Sequence, residues 1–312
     1  MKIEREGCGL IMIERIRNLF FKVEGFLRCP KCLSPLELSD QAEYLICMGE
    51  TSHRFPIIDG IPSFVKREEI SPEDARWIFE YDEKAEKYDE NIKIYDVWLG
   101  VDLWKEGVNV LKEIPIEPYQ RILDVSTGTG AVILRMIEAH PNASLEFVGT
   151  DLSIGMLRVA QRKFERLGLE VPLFHSHVNE LPFESESFDV ITHFGGINTF
   201  RDIASALKEW VRLLKPNGFL LIADEGLSPT VRKTQRGLKI VERNRLFGLQ
   251  PPLQHLPPQL KNVKLWWFAK DTFYAILCQK LSKEELKELK TNGTEHIRIK
   301  ELVEEMLQKL KA

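Results

Sequence analysis

Three thiols and an imidazole stand close together near the start of the chain, in Cys29-Pro-Lys-Cys32 followed by Cys47 and His53. Such a donor set suits tetrahedral zinc. Three of the chain's five cysteines cluster here, which favours metal ligation over a disulfide framework. The segment is too short for a large core, so a metal would add stability that packing cannot. Two readings compete: a cluster that no longer holds metal, and a redox pair at Cys29 and Cys32. The redox reading is the weaker, because the pair does not open a helix after a strand. The five residues between Cys47 and His53 are a wide gap for a zinc knuckle, which weakens the fourth ligand.

A second constellation lies further along. The apolar stretch Arg121–Val125 runs into Ser126-Thr-Gly-Thr-Gly130, and a helical pattern follows. Gly128 and Gly130 permit a tight turn and let backbone approach a ligand. Asp124 can hold an ammonium group or order water. A second apolar stretch, Leu145–Thr150, ends at Asp151, where a carboxylate can accept bonds from two ribose hydroxyls. The fingerprint G-x-G-x-x-G is not met, since Ile133 stands where the third glycine belongs. A phosphate or dinucleotide site and a turn without ligand are the competing readings.

Four ordered motifs resemble those of class I S-adenosylmethionine methyltransferases. They are Ile122-Leu-Asp-Val-Ser-Thr-Gly-Thr-Gly130, Asp151-Leu-Ser-Ile-Gly-Met156, Leu181-Pro-Phe183 with Ser187-Phe-Asp-Val190, and Leu213-Leu-Lys-Pro-Asn-Gly218. The resemblance spans residues 75–280 and looks most like quinone-biosynthesis C-methyltransferases and their small-molecule relatives. It implies an α/β fold with a doubly wound, mostly parallel seven-stranded (Rossmann-like) sheet, and S-adenosylmethionine as cofactor. Carried over by position, Asp124, Ser126, Thr127, Gly128 and Gly130 would surround its methionine part. Asp151 would bind the ribose, with Leu152 and the Val178 backbone at the adenine. Tyr88 falls in a segment, Tyr81–Asp89, that resembles the cofactor-capping helix, and Met156 and Phe194 complete the set.

Two positions depart from the family. Ser126 stands where glycine is usual, and its small side chain should be tolerated. His177 stands where an aspartate usually meets the adenine amino group. A neutral imidazole could accept that bond through one nitrogen, or Asn179 could serve instead. Methyl transfer needs alignment more than an acid–base dyad. His193 and Asn198 are the candidate catalytic residues, and His193 reads equally as a general base or a packing residue. Thr199 and Asp224-Glu225 are further substrate-side candidates. Asn/Asp-Pro-Pro-Tyr/Phe is absent from 189–200, which disfavours methylation of base or amide nitrogens. The Cys/His segment, with Tyr44-Leu-Ile-Cys47 and Phe55-Pro-Ile-Ile-Asp-Gly-Ile-Pro62, resembles a zinc-ribbon family. That family includes the small activator of tRNA and protein methyltransferases, and the module also precedes ribosomal RNA guanine methyltransferase domains.

Holding these residues requires parallel strands that end at the turns. Arg121–Val125, Leu145–Thr150, Phe188–His193 and Phe219–Asp224 read as strands, alternating with helices at Ala131–His140, Gly155–Leu167 and Ile203–Leu214. Around them the chain divides into an amphipathic helix (1–25), a zinc-ribbon-like module (26–66), the cofactor-binding domain (67–281) and a C-terminal helix (282–312). Within the third, the Pro-rich and basic stretch 226–263 reads as a substrate-covering insertion. The first helix carries Arg15, Arg17 and Lys22 and packs on its own protein or meets a membrane surface or partner.

The 312 residues are 44% hydrophobic and 29% charged, a globular composition with net charge −4. The acidic balance weighs against nucleic acid as partner, and DNA is not expected. No apolar run reaches the roughly 20 residues of a membrane span, and a cytoplasmic location is the expectation. The function expected is methylation of a small, lipid-like or quinone-like molecule. The alternatives are an RNA methyltransferase (rRNA or tRNA) that uses the zinc module for recognition, and a protein-binding or protein-methylating enzyme.

Overall fold

The computed structural model describes residues 2–292, 303–306 and 308. Helix α1 (Lys2–Phe21) leads into a small antiparallel sheet of β1 (Leu36–Leu38), β2 (Tyr44–Cys47), β3 (Arg54–Ile58) and β4 (Ile61–Pro62). Helices α2 (Pro72–Lys84), α3 (Tyr88–Leu99) and α4 (Leu103–Leu111) follow. Alternation then begins with β5 (Arg121–Val125), α5 (Ala131–Ala139), β6 (Glu146–Asp151), α6 (Ile154–Arg166) and β7 (Leu173–His175). It continues through β8 (Phe188–Phe194), α7 (Ile203–Leu213) and β9 (Leu214–Glu225). Short helices α8 (Pro229–Arg232) and α9 (Gln235–Arg243) precede the hairpin β10 (Leu260–Phe268) and β11 (Phe273–Lys280), then α10 (Lys283–Asn292).

The main sheet has seven strands in the order β10-β11-β9-β8-β5-β6-β7. Strands β7, β6, β5, β8 and β9 run parallel, and β11 returns antiparallel beside β9. This is the doubly wound, mostly parallel seven-stranded sheet expected. The central strands read as continuous apolar runs because helices cover both faces. Val190 and Ile191 on β8 and Leu220 to Ala223 on β9 are fully buried. Helix α7 buries Ala206, Leu207, Trp210 and Val211 at helical spacing in one core with Ile191, Leu220 and Ile222. Side-chain caps start the helices at Ser71, Asp102, Ser153 and Asp202.

The small sheet is stitched to the edge of the large one. The Phe64 amide donates to His175 on β7 at 2.8 Å, and Leu27 bridges Phe183. Phe26 and Phe64 pack on Phe174, Phe183 and Phe188 in one continuous core. The otherwise open edge of β7 is thereby covered.

Helix α1 packs across this junction through Ile16 and Phe20. Arg15 and Arg17 on it, and Lys22 just beyond it, are engaged within the chain: Arg15 with Glu165, Lys22 with Glu170 at 2.6 Å, and Arg17 with the Asp40 carbonyl at 2.8 Å. These three cations do not form a free basic face. At the other end, Ser282 and Glu285 cap α10 reciprocally, at 2.6 and 3.2 Å. Apart from 303–306 and 308, the remainder of the expected C-terminal helix lies outside the described residues. No helix among the described residues is long and apolar enough to cross a membrane.

Candidate active site and metal centre

A cavity of about 530 Å³ opens at the carboxyl ends of β5, β6, β8 and β9. Ligands of open α/β sheets bind there, where the strand order reverses. The loop after β5 forms its floor. Gly128 and Gly130 have φ of +54° and +83°. A Cβ on Gly130 would come within 2.5 Å of the Phe164 ring, so that glycine seats the loop on α6. Ser126 also lies in the left-handed region, with φ of +58°. This explains why glycine is usual there: serine fits the space but strains the backbone. Ser126→Gly is therefore expected to stabilise the protein by about 1 kcal/mol, raising the melting temperature by roughly 2–4 °C. An unchanged or lower midpoint in a thermal scan would contradict the strain.

Asp124 lies beneath this loop. It accepts hydrogen bonds from the Thr127 and Thr192 hydroxyls at 2.6 and 2.7 Å, and burial pushes its pKa up to about 7. Asp124, Thr127 and Gly130 shape the loop from behind but do not line the cavity. Of this loop, Ser126 and Gly128 are the residues that reach the cavity. The buried threonine–aspartate cluster turns Asp124 inward.

Asp151 does line it, at the end of β6. It accepts the backbone N–H groups of Gly128 and Ser153, each at 2.8 Å. Burial raises its pKa to about 6 against the opposing pull of these bonds. Ser153 donates to Asp82 at 2.5 Å, and the Gly155 amide donates to the same oxygen at 2.9 Å, which ties α2 down over the site. A Cβ on Gly155 would strike Asp82 at 2.8 Å, so the helix can approach only a glycine there.

Leu152, Met156, His177, Val178 and Asn179 form one end of the cavity. The Nδ1 of His177 accepts the Asn179 amide at 3.3 Å, which leaves its Nε2 facing Asp74 at 3.5 Å. Its acceptor nitrogen is thus already engaged. The buried Oδ1 of Asn179, by contrast, has no hydrogen-bond partner. Behind this wall His175 joins the Ser63 hydroxyl, at 2.8 Å, to the Leu152 carbonyl, at 3.0 Å.

The opposite end is aromatic. Phe194, Phe200 and the Gly195-Gly196 backbone line it with Thr199 and Glu225, while Trp77, Tyr81 and Tyr88 line the cavity from α2 and the start of α3, Tyr81 and Tyr88 packing on Met156. His193 is absent from this wall. It is fully buried, bonded through Nδ1 to the Val125 carbonyl at 3.0 Å, and its ring sits against Phe200 and Trp210. Burial lowers its pKa, and its Nε2 has no hydrogen-bond partner. Asn198 is likewise not among the residues that line the cavity. Its side chain donates to the Glu225 carbonyl at 2.9 Å and its amide to Asp224 at 3.0 Å, clamping the end of β9. Neither of the two expected catalytic residues is among those that line the cavity.

Cys29, Cys32, Cys47 and His53 converge as expected, with their donor atoms all within 4.8 Å of one another. Cys32 Sγ lies 3.3 Å from Cys47 Sγ, and Cys29 Sγ lies 3.4 Å from His53 Nδ1. Metal–ligand bonds of about 2.0–2.3 Å around a tetrahedron require edges of this order. The wide gap before His53 is taken up by a loop in which Gly49 donates to Cys47 Sγ at 3.3 Å.

Residues 122–218 match a family model described as a methyltransferase domain. The matched segment is a methyltransferase domain by this description and takes in the β5 loop, Asp151 and Phe194. Thermus thermophilus demethylmenaquinone methyltransferase is 41% identical over 105 residues, covering 34% of this chain and 47% of that protein. The ubiquinone/menaquinone biosynthesis C-methyltransferase of Syntrophotalea carbinolica is 34% identical over 153 residues, covering 49% and 61%. The chain spans about half the length of the curated relatives it matches. Among solved structures, phosphoethanolamine N-methyltransferase 2 of Haemonchus contortus, in complex with S-adenosyl-L-methionine, shares the fold. It aligns with a TM-score of 0.51 at 16% identity, over 74% of this chain and 62% of that one.

Sequence reading of the methyltransferase domain missed Trp77, Phe200 and Leu246 as cavity walls. Trp77 and Tyr81 are four residues apart on α2, so their shared face was a usable signal. Leu246 had none. Among the described residues it alone reaches the cavity from the stretch 226–263, of which Leu227, Ile240 and Phe247 are buried in a cluster with Tyr95, Trp98 and Leu99 of α3.

Proposed function

We propose that this chain transfers the methyl group of S-adenosylmethionine to a small, flat, quinone-like acceptor. The observation that carries this reading is the two-ended cavity. One end is lined by Asp151 and Asn179, and the other by the rings of Phe194 and Phe200. In this reading Asp151 takes the ribose hydroxyls, Leu152, Val178 and Met156 enclose the adenine, and Asn179 Oδ1 accepts its amino group. The Gly128 turn and Ser126 lie against the methionine part, and Tyr88 covers the sulfonium. The volume falls in the usual range for small-ligand sites, roughly 300–1,000 Å³. The demethylmenaquinone methyltransferase relatives support a quinone-like acceptor.

The RNA alternative gains little support here. Glu69, Asp74, Asp151, Asp202 and Glu225 line the cavity against a single guanidinium, Arg201, a poor surface for a polyanion. For the second centre we propose a structural zinc held by Cys29, Cys32, Cys47 and His53. Four protein ligands close the coordination sphere and leave no position for a substrate.

The test is incubation of the full chain with S-adenosylmethionine and reduced 1,4-dihydroxynaphthalene, with product masses read by mass spectrometry. A 14 Da gain on the naphthol, matched by S-adenosylhomocysteine, is the expected result, since one methylene is added per transfer. S-adenosylmethionine that binds without any transfer to this acceptor would remove the quinone-like assignment.

A further inference from the structure

The reactive end of the cavity holds a carboxylate that cofactor binding does not use. Sheet order places β5, β6 and the segment after β7 under the cofactor end, and β8 and β9 under the aromatic end. Glu225 is the last residue of β9 and lines that aromatic end. Each of the other lining acids also has a partner of its own. Glu69 pairs with Lys31 at 2.9 Å, Asp74 accepts the Ser71 hydroxyl at 2.7 Å, Asp202 caps α7, and Asp151 holds the β5 loop.

The backbone around Glu225 is fixed from two sides. Its carbonyl accepts the Asn198 side chain at 2.9 Å, and its amide donates to Asp224 at 2.8 Å. Asp224 also accepts the Asn198 amide at 3.0 Å. When protonated, Glu225 donates to this neighbouring carboxylate. The titratable groups facing it are Asp224 on its own strand, Tyr81 and Tyr88 from the covering helices, and Tyr274 from β11. None of them is a cation. A proton that reaches Glu225 is therefore well held, and an oxyanion formed nearby finds no positive side chain among these groups.

We propose that Glu225 is the catalytic base of the transfer and that the acceptor carries a phenolic hydroxyl conjugated to the methylated carbon. This rests on the methyltransferase reading above. The hydroxyl proton moves to Glu225 as the ring's electron pair forms the bond to the methyl carbon. The methyl–sulfur bond breaks with its pair left on sulfur, which turns the sulfonium into a neutral thioether. The methylated carbon then carries both hydrogen and methyl. It releases that hydrogen to water, and the ring oxygen takes back the proton from Glu225 as aromaticity returns. One proton is released per turnover. The aromatic walls fit a flat acceptor, and the Gly195-Gly196 backbone leaves room for its edge.

The test compares wild type with Glu225→Gln, using reduced 1,4-dihydroxynaphthalene and a ring-fluorinated analogue whose hydroxyl is more acidic. For the variant, calorimetry is expected to give cofactor affinity within about threefold of wild type. Its kcat is expected to fall by about 10²–10⁴-fold with loss of the ascending pH–rate limb. The deficit should narrow with the more acidic acceptor, an effect that a merely structural residue would not produce. A variant kcat within about threefold of wild type, or the same deficit with both acceptors, overturns the proposal. If Glu225→Gln does not fold, Glu225→Asp decides: an ascending limb displaced from wild type supports the base, and an unchanged profile overturns it. Wild type that binds cofactor but leaves both phenols unmethylated also overturns it. Wild type that binds no cofactor instead defeats the methyltransferase reading beneath it.

Discussion

Asp151→Ala is expected to abolish S-adenosylmethionine binding in calorimetry, with affinity falling by about 10²–10⁴-fold. The ribose supplies two hydroxyl donors to a charged acceptor, each bond worth roughly 1.5–3 kcal/mol, and a factor of ten corresponds to about 1.4 kcal/mol. The same change also strips partners from the Gly128 and Ser153 amides in the cavity wall. The carboxylate must be ionised to accept both hydroxyls. Its pKa, raised by burial, stands at about 6. Affinity should thus be flat above pH 7 and weaken as pH falls through 6, by about tenfold per pH unit. The direction is fixed by the sign of linkage: the free protein binds a proton that the complex must expel. An affinity indifferent to pH between 5 and 7, or an alanine variant that binds normally, would place the ribose elsewhere.

Removal of zinc is the second large effect. The purified chain is expected to hold about one zinc per molecule, and Cys29→Ser or a strong chelator should lower the melting temperature by on the order of 10 °C. Structural zinc contributes about 10–16 kcal/mol to isolated fingers, of which a protein with a large second core loses only part. The loss would not stay within the small sheet. Lys31, between Cys29 and Cys32, joins Glu69 and Glu180, each at 2.9 Å. Glu180 follows Asn179 in sequence, and Ser63 holds His175 against the Leu152 carbonyl. Cofactor affinity should therefore fall together with thermal stability. A chelated protein with an unchanged midpoint would mean that the cluster carries no structural metal.

Much of this site was legible in the sequence, for reasons that are local. The Ser126–Gly130 turn follows from small residues between a strand and a helix. Asp151 follows from its place after the second strand. The Cys29 and Cys32 pair of the cysteine–histidine cluster follows from Cys-x-x-Cys spacing, and the reciprocal cap at Ser282 and Glu285 from residues three apart. Each of these depends on chain neighbours within a few positions, where spacing dictates geometry. Strand β7, three residues long, carried too short a pattern to read.

The first constellation was also the one whose meaning changed most. Sequence placed three thiols and an imidazole together but described them as a separate module. Only the tertiary structure shows that Leu27, Phe64 and Lys31 graft that module onto the edge of the main sheet and brace the cofactor end. Sequence likewise determined that His193 and Glu225 end neighbouring strands, but not which of them meets the ligand. Inward or outward is decided by what packs behind a side chain. Phe200 and Trp210 close over His193, whereas the end of β9, clamped by Asn198, leaves Glu225 on the cavity wall. Those contacts join residues far apart in the chain, and no local spacing encodes them.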